Sequence, residues 1–153
     1  MSDLPRPAPA FSMPGDDGAT YSSQSLTGRA MVLFFYPRDN TPGCTKEAIA
    51  FSTLKPEFDA LGVQVFGVSK DSLASHEKFR AKQGLSVPLL SDADSTACED
   101  FDVWREKKMY GKTFFGIVRS TFLIDTSGQI VREWRKVKVD GHAQEVLTAA
   151  RVL

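Results

Sequence analysis

MVLFFYPRDNTPGCTKEA, residues 31–48, runs from apolar sequence through a polar loop into a helix-start signal. Met31 to Phe35 is uninterrupted apolar sequence, the pattern of a strand buried on both faces. Pro37-Arg38-Asp39-Asn40 ends that strand in a polar loop. Thr41 is an N-cap residue type, and Pro42 suits the first helical position, where its missing N–H costs nothing. Gly43 and Cys44 then fall at the second and third helical positions. Cys44 is thereby placed in the first turn of a helix, at the carboxyl end of a strand. That edge of an α/β sheet is where sites usually lie.

Outward from this segment, strands and helices alternate. Upstream, the turn formers Pro14 to Gly18 sit between Ala10–Met13 and Ala19–Tyr21 and predict a small hairpin. Downstream, Val63–Val68 reads as a strand and Asp71–Gln83 as a helix ended by Gly84. Val87–Leu90 reads as a short strand and Asp94–Asp102 as a short helix. Ser120–Asp125, the Ser127-Gly128 turn and Ile130–Trp134 predict an antiparallel pair, and His142–Val152 a closing helix. Pro56 lies inside the pattern Ile49, Phe51, Leu54, Phe58, Leu61 and is expected to break or kink that helix. The order implies one α/β domain over residues 1–153: a central mixed sheet flanked by helices, with an N-terminal hairpin.

The 153 residues suffice for a core without staples. Lys plus Arg equals Asp plus Glu at 19 each, so the basic excess that nucleic acid or an anionic membrane demands is missing. No apolar stretch approaches the length of a membrane span, and the N-terminus shows no apolar signal region; the expected location is the cytoplasm. The cysteines are Cys44 and Cys98, the histidines His76 and His142. A reducing compartment disfavours a structural disulfide, and without a CxxC or HxxxH pair a zinc site is disfavoured too.

Cys44 carries the chemistry. First-turn N–H groups and the helix dipole favour a negative charge there, and the thiolate is the nucleophile. Gly43 leaves room beside the sulfur for a small substrate and for backbone donors. The competing reading is a small buried hydrophobe, the usual fate of a free cysteine. The polar, turn-forming flanks of Cys44 speak against it. Arg119 opens an otherwise apolar strand, where a buried guanidinium needs an anionic partner. A solvated arginine at a strand end is the alternative.

Pro37-x-x-x-Thr41-x-x-Cys44 resembles the active-site motif of the peroxiredoxins. FYPRDNTPGCTKEA, PLLSDAD (88–94) and VWREKKMYGKTFFGIVRSTFLID (103–125) are similar to the bacterioferritin comigratory protein, or peroxiredoxin Q, subfamily. The resemblance covers nearly the whole chain from Phe11. It implies a thioredoxin-like fold and a thiol-dependent peroxidase that reduces hydrogen peroxide and organic hydroperoxides without metal or organic cofactor. Thioredoxin, glutaredoxin or a small thiol would recycle it, in a monomer or a weak dimer. Within it, Cys44 is the peroxidatic nucleophile and passes through a sulfenic acid. Thr41 positions the peroxide, Pro37 shields the pocket from water, and Arg119 places a guanidinium beside the sulfur. Gly43, Thr41 and Arg119 contact substrate, while Glu47 complements the dipole or orients Arg119. Arg38 and Lys46 read as exposed.

The chain departs from the subfamily at the resolving thiol. The position five residues after Cys44 is Ile49, and the 71–83 helix holds no cysteine. Cys98 is the remaining candidate, yet it shares a predicted helix face with Phe101 and reads equally as core. A one-cysteine cycle served by an external thiol, and resolution through a second subunit, stay open beside it. So do two other functions. A thioredoxin-type oxidoreductase is disfavoured by the missing CxxC, and a redox sensor or holdase would turn over slowly. His76 is expected to be partly buried, His142 to start the last helix, and Trp104 and Trp134 to pack. Lys107, Lys108 and Lys112 read as a solvated basic loop able to guide a reductant.

Overall fold

The computed structural model describes residues 3–153. β1 (Arg6–Pro7), β2 (Ser12–Pro14) and β3 (Thr20–Ser22) precede the buried run, which forms β4 over Ala30–Phe35. α1 (Pro42–Ala60), β5 (Val63–Ser69), α2 (Leu73–Gln83) and β6 (Leu89–Ser91) follow. The one-turn α3 (Ala97–Asp100) leads to β7 (Trp104–Met109) and β8 (Lys112–Ile117). β9 (Ser120–Ile124), β10 (Gln129–Arg135) and α4 (His142–Ala150) complete the order. No described helix is long and apolar enough to cross a membrane.

The main sheet has the order β1-β10-β9-β4-β5-β6 and is mixed, as expected. β4, β5 and β6 run parallel, while β9 is antiparallel to β4 and β10 to β9. β4 sits inside the sheet with all six residues buried, which is why its sequence is continuously apolar. Its side chains alternate between two cores. Val32 and Phe34, with Tyr36 just beyond the strand, face one, packed by Cys44, Ala48, Phe51 and Phe58 of α1, Phe79 of α2 and the apolar side of α4. Met31, Leu33 and Phe35 face the other, packed by Cys98, Phe101, Val103, Ile117 and Met13. Both faces carry helix, but unequally: the second is covered mostly by the one-turn α3, loops and hairpin residues.

Pro56 neither breaks nor ends α1, which continues through it to Ala60. A proline there leaves the Ser52 carbonyl without its intrahelical donor. The Ser86 hydroxyl donates to that carbonyl at 3.1 Å, and the Ser52 hydroxyl accepts from the Ser86 N–H at 3.0 Å. A neighbouring loop thus replaces the missing bond. α1 stops where Gly62 takes φ +73°.

α2 begins two residues later than expected, capped by the Ser72 side chain on the Ser75 N–H, and ends at left-handed Gly84. α3 starts later than the predicted 94–102, where the buried Asp92 carboxylate takes the N–H groups of Ala97 and Cys98, and it ends before Asp102, which lies at φ +60°. The stretch read as a basic loop is the β7–β8 hairpin, closed by Tyr110 and Gly111, both at positive φ. β1, which adds an edge strand beside β10, was not expected either.

Candidate active site

The loop that carries Cys44 is built by the exit from β4 and the start of α1. Thr41 is the N-cap residue in extended conformation, Pro42 is the first helical residue, and the Thr45 N–H makes the first helical bond to the Thr41 carbonyl at 2.8 Å. The N–H groups of Gly43 and Cys44 therefore have no intrahelical acceptor. Thr41 does not cap them with its side chain. Its hydroxyl donates instead to the Arg38 carbonyl at 2.8 Å, which leaves its oxygen lone pairs free to accept. Pro37 and Arg38 are exposed in this loop, and so is Lys46, whose ammonium pairs with Asp140.

Cys44 is 1% exposed, on the α1 side of the sheet. Arg119 reaches it from the residue just before β9. Its Nη2 donates to the Cys44 sulfur at 3.4 Å and its Nη1 to Glu47 Oε1 at 2.7 Å. Arg119 thus bridges Glu47 and Cys44 at the start of α1. Gly43 is needed here for a sharper reason than substrate access: a Cβ at that position would lie 3.1 Å from Arg119 Nη2. The glycine admits the guanidinium.

Glu47 is buried, and its Oε2 finds no hydrogen-bond partner among the described residues. Burial pushes its carboxyl up to about 7, against the pull of Arg119. An unfolded glutamate ionises near 4.5, so between these values the folded chain holds a proton that the unfolded chain has released. This group's contribution to stability is present at low pH and is lost as pH rises through about 7. Glu47→Gln should therefore match wild type near pH 5 and exceed it in unfolding midpoint at pH 8. Parallel stability profiles for the two proteins would contradict this.

Two further titratable groups lie within electrostatic reach of Arg119. Lys107, read as a solvated loop residue, lies on β7, and its ammonium donates to the Ile117 carbonyl, two residues from Arg119. Burial together with Arg119 holds it below the ordinary lysine range, while the Cys44 charge pulls the other way. Sequence spacing gave no sign of this, because a strand register brings Lys107 to the site. His142 opens α4 as expected, and it is buried. Its Nε2 lies 2.8 Å from the Thr121 hydroxyl, and burial pushes it down to about 4.

Cys98 is not brought to this cluster. Both cysteines are free thiols, and Cys98 packs in the core on the opposite face of the sheet from Cys44. Burial, then the adjacent Asp92 carboxylate, pushes the Cys98 thiol well up, which keeps it protonated and a poor nucleophile.

The sequence profile of the AhpC/TSA family matches residues 4–133. Peroxiredoxin Bcp of Xanthomonas campestris is 50% identical over 150 residues, covering 97% of this chain and 94% of that protein. Peroxiredoxin Bcp of Bacillus subtilis is 45% identical over 145 residues, covering 95% and 92%. The peroxiredoxin Q structure from Xanthomonas campestris superposes with a TM-score of 0.88 at 48% identity, covering 93% of this chain and 90% of that one. A solved structure of the bacterioferritin comigratory protein of Xanthomonas campestris, also with a TM-score of 0.88 at 48% identity, concerns that protein's alkyl peroxide reduction activity. PrxQ from Xylella fastidiosa gives a TM-score of 0.89 at 40% identity, covering 99% and 98%. The mixed sheet and its helices are accordingly the thioredoxin-like α/β fold, and the thiol beside its arginine stands in the frame of known thiol peroxidases: the chain belongs to the AhpC/TSA family and is a peroxiredoxin of the Bcp kind.

Proposed function

We propose that Cys44 is the peroxidatic thiol of a one-cysteine cycle that reduces hydrogen peroxide and organic hydroperoxides. The observation that carries this is the guanidinium of Arg119, held by Glu47, donating to the sulfur of a cysteine in a first helical turn. The thiolate attacks the terminal peroxide oxygen as the O–O bond breaks, and the bonding electron pair leaves on the other oxygen. That oxygen takes a proton and departs as water or an alcohol, while Cys44 becomes a sulfenic acid. An external thiol condenses with the sulfenic acid and releases water. A second thiol then restores Cys44 and leaves as a disulfide.

Each residue has a part in that step. Arg119 and the free N–H groups of Gly43 and Cys44 stabilise charge as it moves onto the leaving oxygen. Thr41 accepts the peroxide O–H, since its own hydrogen is already given to Arg38. Pro37 gives the loop a ring face instead of an N–H toward solvent. Thioredoxin, glutaredoxin or a small thiol serves as reductant, in the cytoplasm, with a monomer as the working form.

Intact-protein mass spectrometry after one equivalent of peroxide tests this. A gain of one oxygen located at Cys44 is expected, and a Cys44–Cys98 disulfide would refute the one-cysteine cycle. In the same terms, Cys98→Ser should keep peroxide turnover within about twofold of wild type with a small-thiol reductant, because the sheet separates the two thiols. A collapse of turnover, with Cys44 trapped as sulfinic acid, would make Cys98 the resolving residue.

A further inference from the structure

The loop that delivers Thr41 and Cys44 is anchored from beneath by a buried group of polar side chains. Asp39 and His76 are 2% and 0% exposed at their side chains. The Asp39 carboxylate accepts from the Tyr36 hydroxyl at 2.6 Å and from the Ser75 hydroxyl at 2.8 Å, and it faces His76 Nδ1 at 2.7 Å. The backbone N–H of Asp39 donates to Asp71 Oδ2 at 2.8 Å, which also accepts from the Ser69 hydroxyl. On the far side of the imidazole, Nε2 lies 2.9 Å from the Leu90 carbonyl of β6.

With Asp39 ionised, the hydrogen-bond geometry makes this histidine a cation. A carbonyl oxygen only accepts, so Nε2 carries a hydrogen. A carboxylate oxygen only accepts, so Nδ1 carries one too. Both ring nitrogens donate, and the ring is an imidazolium. Burial alone would push Asp39 up and His76 down. The bonds from His76, Tyr36 and Ser75 outweigh it and hold Asp39 below the carboxylate range, while Asp39 raises His76. The remaining ionisable groups facing His76 are Tyr36, just after β4, and Asp71 from the turn before α2. Asp39, Asp71 and His76 bring ligand atoms within 4.8 Å of one another. Those atoms already hold hydrogen bonds, which is the arrangement of an ion pair.

We propose that the buried Asp39–His76 ion pair positions the peroxidatic loop, making His76 a positioning residue for the chemistry at Cys44. The route is short. Arg38 and Asp39 are adjacent, and the Arg38 carbonyl is what the Thr41 hydroxyl donates to. Asn40, between them and the helix, takes φ +59°, the left-handed turn that asparagine tolerates better than most L residues. His76 thus fixes Asp39 against α2 and β6, Asp39 fixes the turn at Asn40, and the turn sets the first helical turn that carries Cys44. His76 touches no substrate.

This inference rests on the reading of Cys44 as the reacting thiol, and the tests separate the two. Nitrogen-15 NMR of the wild-type ring nitrogens should show one histidine with both nitrogens protonated above pH 7. His142, held near 4, supplies the neutral reference in the same spectrum. A neutral His76 at pH 7 would overturn the ion pair. His76→Gln should lower the second-order rate of Cys44 oxidation by about 10- to 100-fold, the scale of a small misplacement of a reacting group. It should also lower the thiolate absorbance at neutral pH. A folded variant with wild-type rate and absorbance would overturn the positioning role, whatever its melting temperature. If the variant does not fold, the wild-type rate per thiolate decides. The pair's contribution is fully present below the unfolded histidine value and is lost as pH rises through the raised folded value. The rate per thiolate should fall as the His76 signal titrates, and a flat rate across that titration would overturn the proposal. Turnover retained by Cys44→Ser would instead sink the reading of the site and leave the NMR result standing.

Discussion

Cys44→Ser should reduce peroxide turnover to background, a loss of at least about 10³-fold, with the fold intact. Serine is nearly isosteric, and a residue 1% exposed in a helical turn gains no new cavity from the change. What is lost is the chemistry. A hydroxyl stays protonated at neutral pH even beside a guanidinium, and Arg119 would donate to a neutral oxygen with no nucleophilic strength. Peroxide consumption under excess thiol measures the effect, and near-wild-type consumption would transfer the chemistry to another residue. Melting temperature should move by only a few degrees, because no buried group loses its partner.

Arg119→Ala should be costly in two separable ways. Removal of one donor aimed at developing charge lowers rates by about 10²- to 10³-fold in comparable sites. The rate of Cys44 oxidation should fall by that order, and the thiolate absorbance at neutral pH should fall with it. The second effect is structural. Glu47 already has one oxygen unpartnered, and without Arg119 the carboxylate would be buried and wholly unpaired. At a pH high enough to ionise Glu47, breaking a buried pair by removing one partner typically costs about 3–5 kcal/mol. Glu47→Gln in the Arg119→Ala background should recover stability without recovering rate. Stopped-flow oxidation and denaturant titration read the two effects independently, and an unchanged oxidation rate would remove Arg119 from the site.

Much of the site was legible because it is local. The buried run of β4, the proline at a helix start and the cysteine in the following turn lie within fourteen residues of one another. Arg119 was legible only through the family resemblance, since at the head of the fully buried β9 a solvated arginine was an equally open reading of the residues alone. What stayed hidden depends on partners distant in sequence. Asp39 reads as an ordinary loop acid until α2 folds over it. Pro56 reads as a helix breaker until Ser86 supplies the missing bond. The β7–β8 hairpin escaped because Trp104–Ile117 shows no apolar period on either face, and Tyr110-Gly111 is not one of the usual hairpin turn pairs. Lys107 could not be placed before that hairpin was.

The placement of the two thiols on opposite faces of the sheet has a kinetic corollary. On the one-cysteine reading, the oxidised Cys44 has no neighbour in its own chain to discharge it, so its lifetime is set by the supply of outside thiol. During that interval a second peroxide molecule competes for the same sulfur. Success carries the residue to the sulfinic acid, which ordinary thiols do not reverse. The ratio of peroxide to reductant, rather than either concentration alone, then decides between turnover and permanent shutdown. The protein behaves as a fuse whose rating is written in the thiol pool around it.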